Sequence, residues 1–146
     1  MKRQQFLKSL ACTVLVGGGR NAYAADDAIR RFGTFVSPDG KKQVLVTRRS
    51  VSLVDFKVID SATSKELVKD YVGSDAMRWF LWWETPNCLW GYGSDIGYFK
   101  CFDFDAVGRV KETLIKGGTG MKVPKQVWDR LPSTMQKRVD VKEAAK

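Results

Sequence analysis

From Leu53 to Asp60 polar and apolar residues alternate, with Val54, Phe56 and Val58 on one parity and Asp55 and Lys57 on the other. A period of two is the pattern of a strand with one buried face. Two further strands are predicted before it, over residues 31–36 and over the β-branched run 43–48. Ser37-Pro38-Asp39-Gly40 separates them, because proline fixes its own φ and glycine accepts a positive one. Arg49-Ser50-Val51-Ser52 and the stretch 61–65 read as connections. Strands are then expected over 66–72, 77–83, 89–92, 97–105 and 110–115. Trp79, Leu81 and Trp83 alternate with Phe80 and Trp82, so the strand over 77–83 is apolar on both faces. That pattern predicts a central strand buried on both sides.

Helical periodicity appears only at the end of the chain. Pro124 suits a first helical turn, where its missing N–H costs nothing. Val127, Trp128 and Leu131 form one apolar stripe that docks this tail on the sheet. Pro132 ends that helix, and Ser133 is expected to cap a second one reaching about Val139. The expected fold class is therefore all-β, of antiparallel meanders, with a short helical tail.

The chain of 146 residues is expected to hold one folded domain. Residues 1–24 have the organisation of a secretory signal peptide: Lys2, Arg3 and Lys8, then an apolar run over 10–19, then Ala22-Tyr23-Ala24. The run is about half of the roughly 20 apolar residues that a membrane span needs. Ser9-Leu10-Ala11-Cys12 resembles a lipobox, with serine where leucine is usual, and membrane attachment is expected only if Cys12 is lipidated. The predicted division is a leader over 1–24, a β domain over 25–121 and a basic helical tail over 122–146. The location is periplasmic or secreted.

Without the leader the chain carries 21 basic and 16 acidic residues, and seven of the basic ones fall within 122–146. Such a charge is ordinary for solubility, and export makes nucleic acid an unexpected partner. Export also bears on Cys88 and Cys101. In an oxidising compartment an even pair reads as a disulfide, the alternative being two buried thiols.

Phe56-Lys57-Val58-Ile59-Asp60 matches Phe99-Lys100-Cys101-Phe102-Asp103 at an offset of 43 residues. A proline turn precedes each copy, at Pro38-Asp39 and Pro86-Asn87, and a second turn follows each. "SPDGKKQVLV" followed by "FKVIDSATSKEL" resembles a WD40-like or TolB-type β-propeller blade, with Ser64 where glycine is usual. The resemblance covers roughly residues 37–110 and implies two blade-like meanders, about 40–45 residues each. Closed propellers use about four to eight blades. The chain would then form a small sheet assembly or complete itself with another polypeptide.

Histidine is absent from the sequence, which excludes Ser-His-Asp and Cys-His catalysis and removes the commonest metal ligand. With Cys88 and Cys101 paired, no thiol nucleophile remains in the mature chain. The acids Glu84, Asp95, Asp103 and Asp105 show no spacing that singles out a glycosidase pair. Asp103-Phe104-Asp105 lacks the other ligands of a calcium loop. No enzymatic activity, cofactor or metal is expected.

Two binding surfaces are expected instead. One is Arg48, Arg49, Ser50 and Ser52 on a hairpin, able to reach a polar cleft. The other is the glycine-rich stretch 91–97, with Tyr92 as a projecting anchor beside Ser94 and Asp95. Ser37-x-Asp39-Gly40 through Asp60-Ser61-Ala62-Thr63 also resembles periplasmic immunity proteins of type VI secretion effectors, over about 40 residues. That likeness implies a plug at residues 48–52 and a peptidoglycan hydrolase as the protein partner. The alternatives are an envelope scaffold that completes a propeller, and a glycan-binding module using exposed Trp82 or Trp90.

Overall fold

The computed structural model describes residues 28–116 and 122–142. The expected leader, the Cys12 lipobox, the glycine-rich break at 117–120 and the end of the tail at 143–146 lie outside them. Among the described residues no helix is long and apolar enough to cross a membrane.

The chain folds as two antiparallel four-stranded meanders and a small third layer. The first sheet is β1 (Gly33–Val36), β2 (Lys42–Arg49), β3 (Leu53–Asp60) and β4 (Glu66–Ser74), paired in that order. The second is β5 (Trp79–Thr85), β6 (Cys88–Gly93), β7 (Tyr98–Phe104) and β8 (Val110–Lys116). The tail holds β9 (Lys122–Val123), α1 (Lys125–Trp128), α2 (Ser133–Gln136) and β10 (Asp140–Val141), with β9 and β10 pairing in parallel. The expected all-β class with a short helical tail is what the structure shows. The tail corrects two details. Pro132, not Ser133, occupies the position before α2, and no side chain caps that helix. Two residues of strand also flank the helices, too few to leave a periodic signal.

The internal repeat has a topological counterpart. Its two copies lie in β3 and β7, each the third strand of its meander. The proline turns likewise join the first and second strands of each sheet.

Strand parity assigns the buried apolar side chains of the second sheet to one of two cores. Trp79, Leu81, Trp83, Leu89, Phe102 and Phe104 face the first sheet and meet Val44, Val46, Val54, Phe56 and Val58 there. The other parity, including Phe80, Trp82, Trp90, Tyr92 and Phe99, faces Val127, Leu131, Met135 and Val139 of the tail. β5 is thus buried on both faces, as its unbroken apolar run predicts. Trp128, expected to dock the tail, packs against this core while only partly buried, and its indole N–H donates to the Gln136 carbonyl within the tail. The smaller aliphatic residues fill the interface.

Polar contacts tie the two sheets at two places. Lys42 is 8 % exposed, and its ammonium donates to the Pro86 carbonyl and Asn87 Oδ1 in the β5–β6 turn. Lys100 on β7 pairs with Asp70 on β4 and with Glu112 on β8 at 3.3 Å. Burial works against the Lys100 charge, but these two carboxylates outweigh it and raise its pKa.

The turns carry a readable pH signature. At Asp60 the Thr63 backbone N–H and hydroxyl hold the carboxyl below its usual 3.8. Asp105 is lowered by the Arg109 guanidinium and backbone N–H. At Asp39 burial opposes ionisation, and hydrogen bonds from Ser37 and the Lys41 N–H override it. A carboxyl with a lowered folded pKa stabilises the fold above its unfolded value. It loses that contribution as pH falls through the folded value. The melting temperature is therefore expected to fall below about pH 4, and to fall less in the triple variant Asp39→Asn, Asp60→Asn, Asp105→Asn. Melts recorded across the acid range check this.

Candidate functional site

The two surfaces expected from sequence converge at one end of the molecule. The β2–β3 hairpin turns through Ser50, whose φ of +58° lies in the left-handed region, and places Val51 at its tip, 91 % exposed. The Ser52 carbonyl accepts the Asp75 N–H at 2.7 Å, which joins this hairpin to the β4–β5 connection. That connection is in turn held by the β6–β7 turn. Asp95 Oδ2 accepts the Ser74 N–H at 2.9 Å, and the Ser94 N–H donates to the Arg78 carbonyl. Three loops thus form one hydrogen-bonded surface.

The arginines of the hairpin are already engaged. Arg48 pairs with Asp75 at 2.5 Å and lies over the Phe32 ring; Arg49 pairs with Asp55 at 3.3 Å and lies over Tyr71. Both side chains keep more than half of their surface in solvent. They are oriented groups at a rim, rather than free cations on a mobile turn. Around them the surface is apolar: Val51, Met77 and Phe32 are the exposed large hydrophobic residues at this end.

Tyr92 requires correction. It is not a projecting anchor, since it is 1 % exposed and packs against Phe80 and Phe99. Burial pushes its phenol pKa up. Gly91 and Gly93 belong to β6 and not to a loop, and they share the parity that faces the first sheet. A Cβ on Gly93 would stand 1.7 Å from the Val72 carbonyl oxygen. The glycines admit the close approach of a neighbouring backbone, and Tyr92 follows Cys88 and Trp90 into the tail-side core. The parity of Trp90 was the available signal. Asp95, which is exposed, also clamps β4 through Ser74. Trp82 and Trp90, the rings of a glycan platform, are 4 % and 3 % exposed and sit beneath the tail.

A second group of side chains lies at the opposite end, near the β5–β6 turn. Cys88 and Cys101 are buried free thiols with their sulfurs 3.0 Å apart. The two cysteines that the sequence pairs do meet in the fold. In the register Cys88 stands opposite Asp103 and Cys101 opposite Trp90, so the cysteines are diagonal neighbours.

The Cys88 thiol is pushed up in pKa by its hydrogen bond with Cys101, by burial and by the nearby carboxylates. Glu84 Oε2 lies 3.5 Å from Cys88 Sγ and accepts the Trp90 indole N–H at 2.7 Å. Cys88, Cys101 and Asp103 bring one ligand atom each within 4.8 Å of one another, on a pocket of about 380 Å³. The sequence points to no metal, because histidine is absent and Asp103-Phe104-Asp105 lacks the other ligands of a calcium loop.

No family model matches this chain, and no match is found among curated proteins or solved structures.

Proposed function

We propose that this protein is an exported, non-catalytic binding protein that docks a protein partner through the loop end and inhibits it. The observation that carries this reading is the convergence of three tied loops beneath the exposed tip at Val51. An apolar centre of Val51, Met77 and Phe32, rimmed by Arg48 and Arg49, has the anatomy of a protein interface. Its arginines are oriented before contact, so less side-chain freedom is lost on binding. A narrow tip of this kind suits a concave partner. A cell-wall hydrolase with its cleft is the partner that the resemblance to immunity proteins implies.

The test is capture from envelope extract, paired with a challenge by the captured hydrolase. Val51→Asp should weaken capture on the order of 30-fold, the size of a central hot spot, and abolish protection. The melting temperature should not move, because the side chain is 91 % exposed. Failure to recover a hydrolase, or full protection by Val51→Asp, would sink the reading.

The topological equivalence of the two meanders favours a second reading, an envelope scaffold whose blade-like sheets complete a propeller with another chain. Size-exclusion chromatography separates the two, because a stable monomer counts against completion.

A further inference from the structure

We propose that Cys88, Cys101 and Asp103 form a binding site for a thiophilic divalent cation of the zinc class. The three ligand atoms lie within 4.8 Å of one another, on side chains from two neighbouring strands. Two thiolates and a carboxylate are a donor set that zinc takes in tetrahedral geometry, whereas hard cations prefer all-oxygen sets. With about 2.3 Å from zinc to each sulfur, the sulfurs of such a site stand roughly 3.8 Å apart. The observed 3.0 Å opens to that distance by small side-chain rotations.

The surroundings fit an ion that is held from one side. Among the described residues, the Asp103 carboxylate receives no hydrogen bond and joins no ion pair, although Lys122 and Lys142 line the same pocket. Lys142 is drawn to Glu84 at 3.6 Å. Glu84 is fixed by the Trp90 indole beside Cys88, as a positioning residue. Three protein ligands leave a fourth position facing the pocket, open to water or to a small anion that the two lysines would attract. On binding, each cysteine gives up its thiol proton to solvent and no electrons are exchanged.

The experiment uses the full chain isolated without reductant, titrated with Zn(II) by calorimetry and with Cd(II) by difference absorption. One ion per chain is expected, with a thiolate-to-cadmium charge-transfer band and protection of both thiols from alkylation. Asp103→Asn, at an exposed position, should keep the fold and weaken zinc binding about tenfold; Cys101→Ser should weaken it on the order of 100-fold. If Cys101→Ser fails to fold, thiol protection and Asp103→Asn carry the test. Absence of an alkylatable thiol at both Cys88 and Cys101 in the isolated chain would mean a disulfide and would overturn the site. So would unchanged zinc affinity in Asp103→Asn together with thiols that zinc leaves unprotected.

Discussion

Gly93→Ala is expected to be among the most damaging single substitutions in the protein, although it adds one methyl group. The added Cβ would lie 1.7 Å from the Val72 carbonyl oxygen and 2.8 Å from its carbon. Both atoms are backbone, so no side-chain rotation relieves the clash, and the two sheets must part. Overpacking of this kind costs on the order of 3 kcal/mol. In a domain of this size that lowers the melting temperature by roughly 10 °C. Gly97→Ala is the control. Nothing lies within 4 Å of its Cβ, and only the strain of φ +66° is added, about 1 kcal/mol. Thermal melts of the two variants should differ clearly, and equal losses would show that the sheets do not meet at Gly93. The effect should extend to the loop end. Asp95 Oδ1 lies 3.2 Å from the same added Cβ, and its carboxylate is the group that holds Ser74.

Phe102→Ala should cost about as much by the opposite mechanism, a void in place of a clash. Phe102 is fully buried and meets Phe56 edge to face, with ring centroids 5.5 Å apart. The pair links the third strands of the two sheets. Large-to-alanine changes at aromatic core positions cost about 3–5 kcal/mol, because the lost transfer energy is joined by an incompletely collapsed cavity. Against a total stability of roughly 5–15 kcal/mol, that removes a large share of the margin. Denaturant melts should show a lower midpoint with little change in slope. Phe56→Ala should be comparable, and the double variant should cost less than the sum of the two, because one cavity serves both.

Much of the fold was legible in the sequence because a strand's period of two was unusually clean. The alternation in β3 and the unbroken apolar run of β5 located one single-sided and one double-sided strand. From these follows the three-layer order, with the second sheet in the middle. The turns were legible because Pro38, Asp39 and Gly40 each act locally. The parts misread depend on neighbours distant in sequence. Gly91 and Gly93 looked like loop residues because their reason for being glycine is Val72 on another sheet. The pairing of Arg48 with Asp75 and of Asp95 with Ser74 is likewise invisible until β4 is placed. Composition gave Cys88 and Cys101 as a bonded pair. Only the strand register shows them as diagonal neighbours, with Asp103 the third member of the group.

The tail-side core also constrains the order of synthesis. The first sheet and the inner face of the second are complete once β8 has been made. The outer face, with Phe80, Trp82, Trp90 and Tyr92, waits for Val127, Leu131, Met135 and Val139. A nascent chain between those two points carries a formed sheet with a bare aromatic face, the kind of surface that associates with other copies or is held by a chaperone. Folding of this protein is therefore finished by its tail, and a chain cut off before Val139 should be recovered mainly as aggregate.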